Sequence, residues 1–171
     1  MKVRLADISE ISTLKEVEDD ASVLFRSLPE LAFVLDYPPR EISEYEEFVR
    51  SGNAFVSEGA VGISGIILLG VVDGRGHIWE LSVRMAFQRQ GAGRHLIEAG
   101  CRWAKSRGCD EVTLTTFKDA PWNAPTYARL GFEIFQPDGM RAELGSIIEH
   151  ERSIGLLRAP RVAMRKPVSA T

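Results

Sequence analysis

Apolar and polar positions change rhythm several times along the 171-residue chain, and each change marks an element. Alternation at Val3 to Leu5 predicts a first strand, and Asp7 stands where it can cap a helix running from Ile8 to Phe25. "DYPPREIS" breaks that pattern, with Ser43 as the next N-cap and Glu44 to Arg50 as a short helix. Ala54 to Ser57 is then set to pair with Ala60 to Val72 across "EG", and "DGRG" turns the chain into a strand from His77 to Val83. From Gly91 to Arg107 the apolar residues Leu96, Ile97, Gly100, Cys101 and Ala104 keep a near-helical period, which Gly108 stops. Glu111 to Phe117 alternates again, a short helix follows to Leu130 with Gly131 at its C-cap, and Phe132 to Phe135 and Val162 to Lys166 read as the last strands. Between those two, Met140 to Ile154 is predicted helical, with Asp138 in capping position, Leu144, Ile147, Ile148 and Glu151 on one face, and Gly155 at its end. No repeat or linker interrupts the sequence, so the pattern describes one α+β domain over residues 1–171.

Composition narrows the function classes. With 21 Lys plus Arg against 24 Asp plus Glu, the net charge of -3 speaks against a general nucleic-acid or membrane-surface binder. The longest apolar run, Ile63 to Val72, is interrupted by glycine and too short to span a bilayer. "MKVRLADISE" lacks the charged and apolar regions of a secretory signal, so the expected location is cytoplasmic. Cys101 and Cys109 are too few for a disulfide framework, and Cys101 falls on the apolar face of its helix, as core, while Cys109 sits in a turn. His77, His95 and His150 lack the spacing of a metal site, and no metal is expected.

The chemistry concentrates in "FQRQGAGRHLI", Phe87 to Ile97. The glycines precede a helix whose first backbone N–H groups have no partner within it, and these donors and the positive end of the dipole favour phosphate oxygens. Gly91 and Gly93 leave the main chain bare for close approach, and Arg89 and Arg94 add positive charge. Other phosphate loops fit poorly: Leu96 stands where a dinucleotide-binding fingerprint needs its third glycine, and the Gly-Lys-Ser/Thr of a Walker loop is absent.

"ELSVRMAFQRQGAGRHLIEAG", followed downstream by "YARLGFEI", closely resembles the GNAT superfamily of acetyl-CoA-dependent N-acetyltransferases, over at least Ile78 to Phe135. The motif (Arg/Gln)-x-x-Gly-x-(Gly/Ala) is Gln88 to Gly93 behind Leu81-Ser82-Val83, and Tyr-x-x-x-Gly-Phe is Tyr127 to Phe132. The resemblance implies a mixed, mostly antiparallel central sheet with a splayed strand pair, flanked by helices. It implies acetyl-CoA as co-substrate, with its pyrophosphate on Arg89, Gln90, Gly91, Ala92, Gly93 and Arg94 and its pantetheine arm along the main chain of Leu81, Ser82 and Val83. It assigns Tyr127 as the acid that protonates the departing thiolate, and dimers are common in the family.

The general base is less determined. Some relatives carry a carboxylate twelve residues before the Tyr, where this chain has Thr115, which leaves Glu80 and His77, on opposite faces of their strand. The Asn that often touches the cofactor lies seven residues before the Tyr in the family; here that position is Ala120, while Asn123 is expected to cap the next helix and to contact the cofactor as well. Phe33, Asp36, Tyr37, Trp79, Phe117 and Trp122 are candidates for the acceptor pocket, and the predicted helix from Met140 is expected to cover the acceptor side. The expected activity is acetyl transfer by direct attack of a primary amine, on a small molecule; the rival is a non-catalytic acyl-CoA-binding sensor or docking module.

Overall fold

The computed structural model describes residues 1–137 and 142–168. Its strands are β1 (Lys2–Leu5), β2 (Ala54–Gly59), β3 (Gly62–Val72), β4 (Arg75–Val83), β5 (Glu111–Phe117), β6 (Glu133–Phe135) and β7 (Arg161–Pro167). The helices are α1 (Ile11–Ser22), α2 (Ile42–Arg50), α3 (Ala92–Ser106), α4 (Ala124–Arg129) and α5 (Ala142–Ser153). The seven strands lie in the order β1-β2-β3-β4-β5-β7-β6. Pairs β1–β2, β2–β3, β5–β7 and β6–β7 are antiparallel, and β4–β5 is parallel, through Gly76 with Val112 and His77 with Thr113. This is the mixed, mostly antiparallel α+β sheet that the sequence leads one to expect. Among the described residues no helix is long and apolar enough to cross a membrane.

The chain forms two compact units, Met1–Gly70 with Ile78–Gly100, and Val71–His77 with Cys101–Thr171. In the first, Ile11, Leu14 and Val17 put an i, i+3 stripe of α1 into a core shared with Tyr45 of α2 and with Val56, Ile66 and Leu68 of the strands. Burial of each such aliphatic side chain contributes about 1.5–3 kcal/mol. Ile67 and Leu69, on the other face of β3, are equally buried, and Gly100 of α3 lies so near them that a Cβ there would meet Ile67 Cδ1 at 3.2 Å and Leu69 Cδ2 at 3.3 Å. Both faces of β3 are therefore covered, which explains the four consecutive apolar residues Ile66 to Leu69 where β5 alternates.

In the second unit the buried residues include Val112 and Leu114 of β5, Ala163 and Met164 of β7, and Leu144 of α5. Two polar fastenings hold α5. At its start, the Asp73 carboxylate accepts from the Glu143 and Leu144 N–H groups at 3.2 and 3.0 Å, and Glu143 Oε2 accepts from the Asp73 N–H at 2.5 Å. Towards its end, Glu151 accepts from Thr115 Oγ1 at 2.5 Å and from Arg161 Nε and Nη2, both at 3.0 Å.

Several elements differ locally from expectation. The first helix is α1 between 3-10 turns at Ile8–Glu10 and Val23–Ser27, and Asp7 caps the first of these in a capping box with Glu10. Pro29–Asp36 is a further 3-10 helix. The cap of α2 is Glu41 rather than Ser43, because Glu41 and Glu44 form a reciprocal capping box that starts the helix two residues early. The β2–β3 turn is Ala60–Val61, with Gly59 paired to Gly62, so "EG" belongs to the strand and not to the turn. The cysteines exchange roles: Cys109 is buried and Cys101 only partly so. For the predicted helix from Met140, Ala142–Ser153 is helical with Gly155 left-handed (φ 85°) just beyond, and Asp138 and Met140 lie outside the described residues.

Candidate active site

The strand β4 leads through a 3-10 turn (Met85–Phe87) into Gln88–Gly91 and then α3. Several bonds fix this path. Arg84 Nε donates to Ile63 O at 3.1 Å, the Met85 N–H to Asp20 Oδ2 at 2.7 Å, Gln88 Nε2 to Val83 O at 3.4 Å and Gln90 Nε2 to Ala86 O at 3.0 Å. Arg89 and Gly91 are both left-handed, at φ 59° and 88°. For Gly91 that conformation is a reason for glycine in its own right. Gly93 differs: its φ is not positive, and a Cβ there would meet only Val83 Cγ2, at 3.9 Å. The space above Gly93 is open, so nothing in the fold itself demands glycine there.

The α3 ladder begins where the His95 N–H donates to Gly91 O at 3.1 Å, so the N–H groups of Ala92, Gly93 and Arg94 precede it. Arg89 and Arg94 are exposed, Arg94 with Glu98 at 3.0 Å. Bare main-chain donors, the helix dipole and two arginines make a cradle for a phosphate-type anion.

Upstream on β4, Glu80 and Ser82 share a face, and Ser82 Oγ donates to Glu80 Oε1 at 2.7 Å. Glu80 lies in a polar cluster with Glu18 of α1, Arg40, and Tyr45 of α2; the Tyr45 hydroxyl donates to Glu18 Oε2 at 2.5 Å, and Arg40 Nη2 stands 3.7 Å from Glu80 Oε2. Burial and the Glu18 charge push the Glu80 carboxyl up to about 7, against the opposing pull of Ser82 and Arg40. A group half ionised near neutrality, with a quarter of its side chain (24%) exposed, can take and release protons.

His77, the other candidate base, sits in the second unit, 1% exposed, with Nδ1 2.9 Å from Thr113 Oγ1. Burial drives its imidazole down to about 4, so it is neutral over the physiological range. Tyr127 is on α4, its ring edge-on to Phe132 at 5.6 Å between centroids. Asn123 occupies the N-cap position of α4, but its side chain makes no capping bond; its main-chain oxygen accepts from the Thr126 and Tyr127 N–H groups at 2.8 and 3.0 Å. Of the pocket candidates, Phe117 is buried under the Arg161 guanidinium at 4.5 Å, and Trp79 lies against Gly70.

The structure therefore brings Glu80, Leu81, Ser82, Val83 and Arg89 to Arg94 into one unit, and His77, Asn123 and Tyr127 into the other. Sequence reasoning missed Glu18, Arg40 and Tyr45. A signal existed: Glu18 continues the Ile11-Leu14 stripe at i+7, an unusual place for a carboxylate without a buried partner. Among the described residues no group of three or more His, Cys, Asp or Glu side chains is arranged to hold a metal.

Residues 19–132 match the model of the acetyltransferase (GNAT) family. Among solved structures, the chain is similar to the Mycobacterium tuberculosis protein Rv2747 in complex with CoA and NLQ, at 17% identity and TM-score 0.73, over 98% of this chain and 99% of that one. It is similar to the PaiA N-acetyltransferase of Thermoplasma acidophilum in complex with coenzyme A, at 14% identity and TM-score 0.69, over 97% and 98% of the two chains. It is also similar to the ribosomal-protein-S18-alanine N-acetyltransferase of Escherichia coli, at 16% identity and TM-score 0.64, over 99% and 95%. At these identities the likeness concerns the fold.

Proposed function

Because this chain belongs to the acetyltransferase (GNAT) family, whose pattern it matches over residues 19–132, we propose that it moves an acetyl group from acetyl-CoA to a primary amine of a small molecule. The observation that carries this reading is the cradle at Gly91 to Arg94, where the main chain of Gly93 is open with no packing reason to be glycine. A diphosphate fits that donor set. Arg89 to Arg94 would hold the pyrophosphate, and Leu81, Ser82 and Val83, which follow the β4 residues paired with β5, would offer their main chain to the pantetheine arm. Acetyl-CoA, when bound, would supply the acetyl group as its thioester, and coenzyme A would leave as the thiol.

The chain's own residues then divide the proton work. Glu80 takes the proton of the incoming ammonium, which its raised proton affinity suits near neutral pH. The Val83 N–H is the donor for the developing oxyanion. Tyr127 delivers a proton to the leaving thiolate, an assignment that rests on its place in Tyr-x-x-x-Gly-Phe. Asn123, four residues before Tyr127 where the family's Asn lies seven before, would be a further cofactor contact from the start of α4. His77, neutral and enclosed, is the weaker base. The acidic surroundings of Glu80, with Glu18 and Glu44 against Arg40, suit an acceptor that arrives as a cation.

The test is a screen of small primary amines with acetyl-CoA, following free thiol and the acetylated product by mass. At least one amine should give thiol and product in equal amounts. Coenzyme A binding without turnover on any amine, peptide amines included, would overturn the enzyme reading in favour of an acyl-CoA sensor.

A further inference from the structure

Glu80 belongs to a relay of polar groups that ties its carboxylate to two helices. Arg40 follows Pro38 and Pro39, whose fixed φ angles stiffen its approach, and its guanidinium lies over the Tyr45 and Phe48 rings at 5.8 and 5.9 Å. From there it reaches Glu18 Oε2 through Nε at 3.4 Å, Glu44 Oε1 through Nη1 at 3.8 Å and Glu80 Oε2 through Nη2 at 3.7 Å. Glu18 Oε2 also accepts from the Tyr45 hydroxyl at 2.5 Å, and Glu80 is held by its other oxygen through Ser82 at 2.7 Å. The Tyr45 phenol is raised well above its ordinary value by burial and by that bond to Glu18, so it stays a donor.

One guanidinium thus serves two partly buried carboxylates that repel each other, with the more exposed Glu44 at its rim. Resting on the reading of Glu80 as the base, we propose that Glu18 and Arg40 are positioning residues for it: Tyr45 fastens Glu18, Glu18 holds Arg40, and Arg40 holds the Glu80 carboxylate opposite Ser82. The two act on the Glu80 proton in opposite senses. Arg40 favours the carboxylate, while Glu18 disfavours it by its own charge and by sharing the cation.

The opposed signs give the test. Protein labelled with 13C at the glutamate δ-carbons is titrated by NMR, with Glu80→Gln identifying the Glu80 signal. In Arg40→Met that signal should titrate about one pH unit higher than in the parent, and in Glu18→Gln about one unit lower. Arg40→Lys, which keeps the charge and loses the fork, should return part of the way. With the best amine, the acidic limb of kcat/KM should move in the same two directions. Glu18→Gln is nearly isosteric, and melting curves establish that it is folded should Arg40→Met not be. A Glu80 signal that titrates alike in parent and Glu18→Gln, or shifts the same way in both variants, overturns the relay. If the signal shifts as stated and the rate profile does not follow, Glu80 is not the base and the positioning role falls with that reading, a failure distinct from the first.

Discussion

At the residue scale, the division of proton work predicts different losses for two conservative changes. Tyr127→Phe keeps the ring against Phe132 and removes only the hydroxyl. We expect kcat to fall by roughly 10²-fold with coenzyme A affinity nearly kept, as loss of a general acid does. Normal turnover would make Tyr127 structural. Glu80→Gln should replace the acidic limb near pH 7 by one set by the amine's own deprotonation, so activity is lost most where the amine is protonated and partly recovered as pH rises; an equal loss at every pH would exclude the base role. The glycine turn and Tyr127 were legible because motif spacing is local. The neighbours of Glu80 were not, because Glu18, Arg40 and Tyr45 meet only through packing of α1 and α2 around a core. Gly91 and Gly93 read alike in sequence and separate only in φ, one needed by the backbone and the other available to a ligand.

At the scale of elements, β5 was predicted to the residue because Glu111 to Phe117 alternates between turn signals. Helix starts were harder: "REIS" offers a conventional serine cap, and only the geometry shows Glu41 and Glu44 closing on each other first. The fastening of α5 was hidden entirely, since Asp73, Thr115 and Arg161 come from three distant segments. That fastening carries a prediction. The Glu151 and Arg161 side chains are 11% and 13% exposed, so Arg161→Met leaves a carboxylate in low dielectric with Thr115 alone. Breaking such a pair costs about 3–5 kcal/mol. Urea unfolding should show a loss of that order for Arg161→Met, and the double variant with Glu151→Gln should recover part of it. Strict additivity would mean that the pair is not coupled.

At the scale of the whole molecule, the fold class followed from the strand and helix order, whereas the packing around single ionisable groups had to be seen. Two of these oppose each other in the pH dependence of stability. His77 has a folded value near 4, below its unfolded 6.5, so its contribution is present above pH 6.5 and is lost as pH falls towards 4. Glu80 has a folded value near 7, above its unfolded 4.5, so its contribution is present below pH 4.5 and is lost as pH rises through 7. Denaturant titrations should therefore find His77→Gln losing stability relative to its own acid value as pH rises from 4.5 to 7, and Glu80→Gln gaining over the same window. Parallel curves for the two variants would refute the buried titrations. What the glycine cradle holds decides the proposed function, and calorimetric titration of coenzyme A into the parent and into Gly93→Asp measures that directly. A carboxylate at this place suits the start of α3, so the melting temperature should hold or rise, while it opposes a pyrophosphate. The expected result is an affinity at least ~10-fold weaker, about 1.4 kcal/mol. Equal affinity in a folded variant would contradict the account.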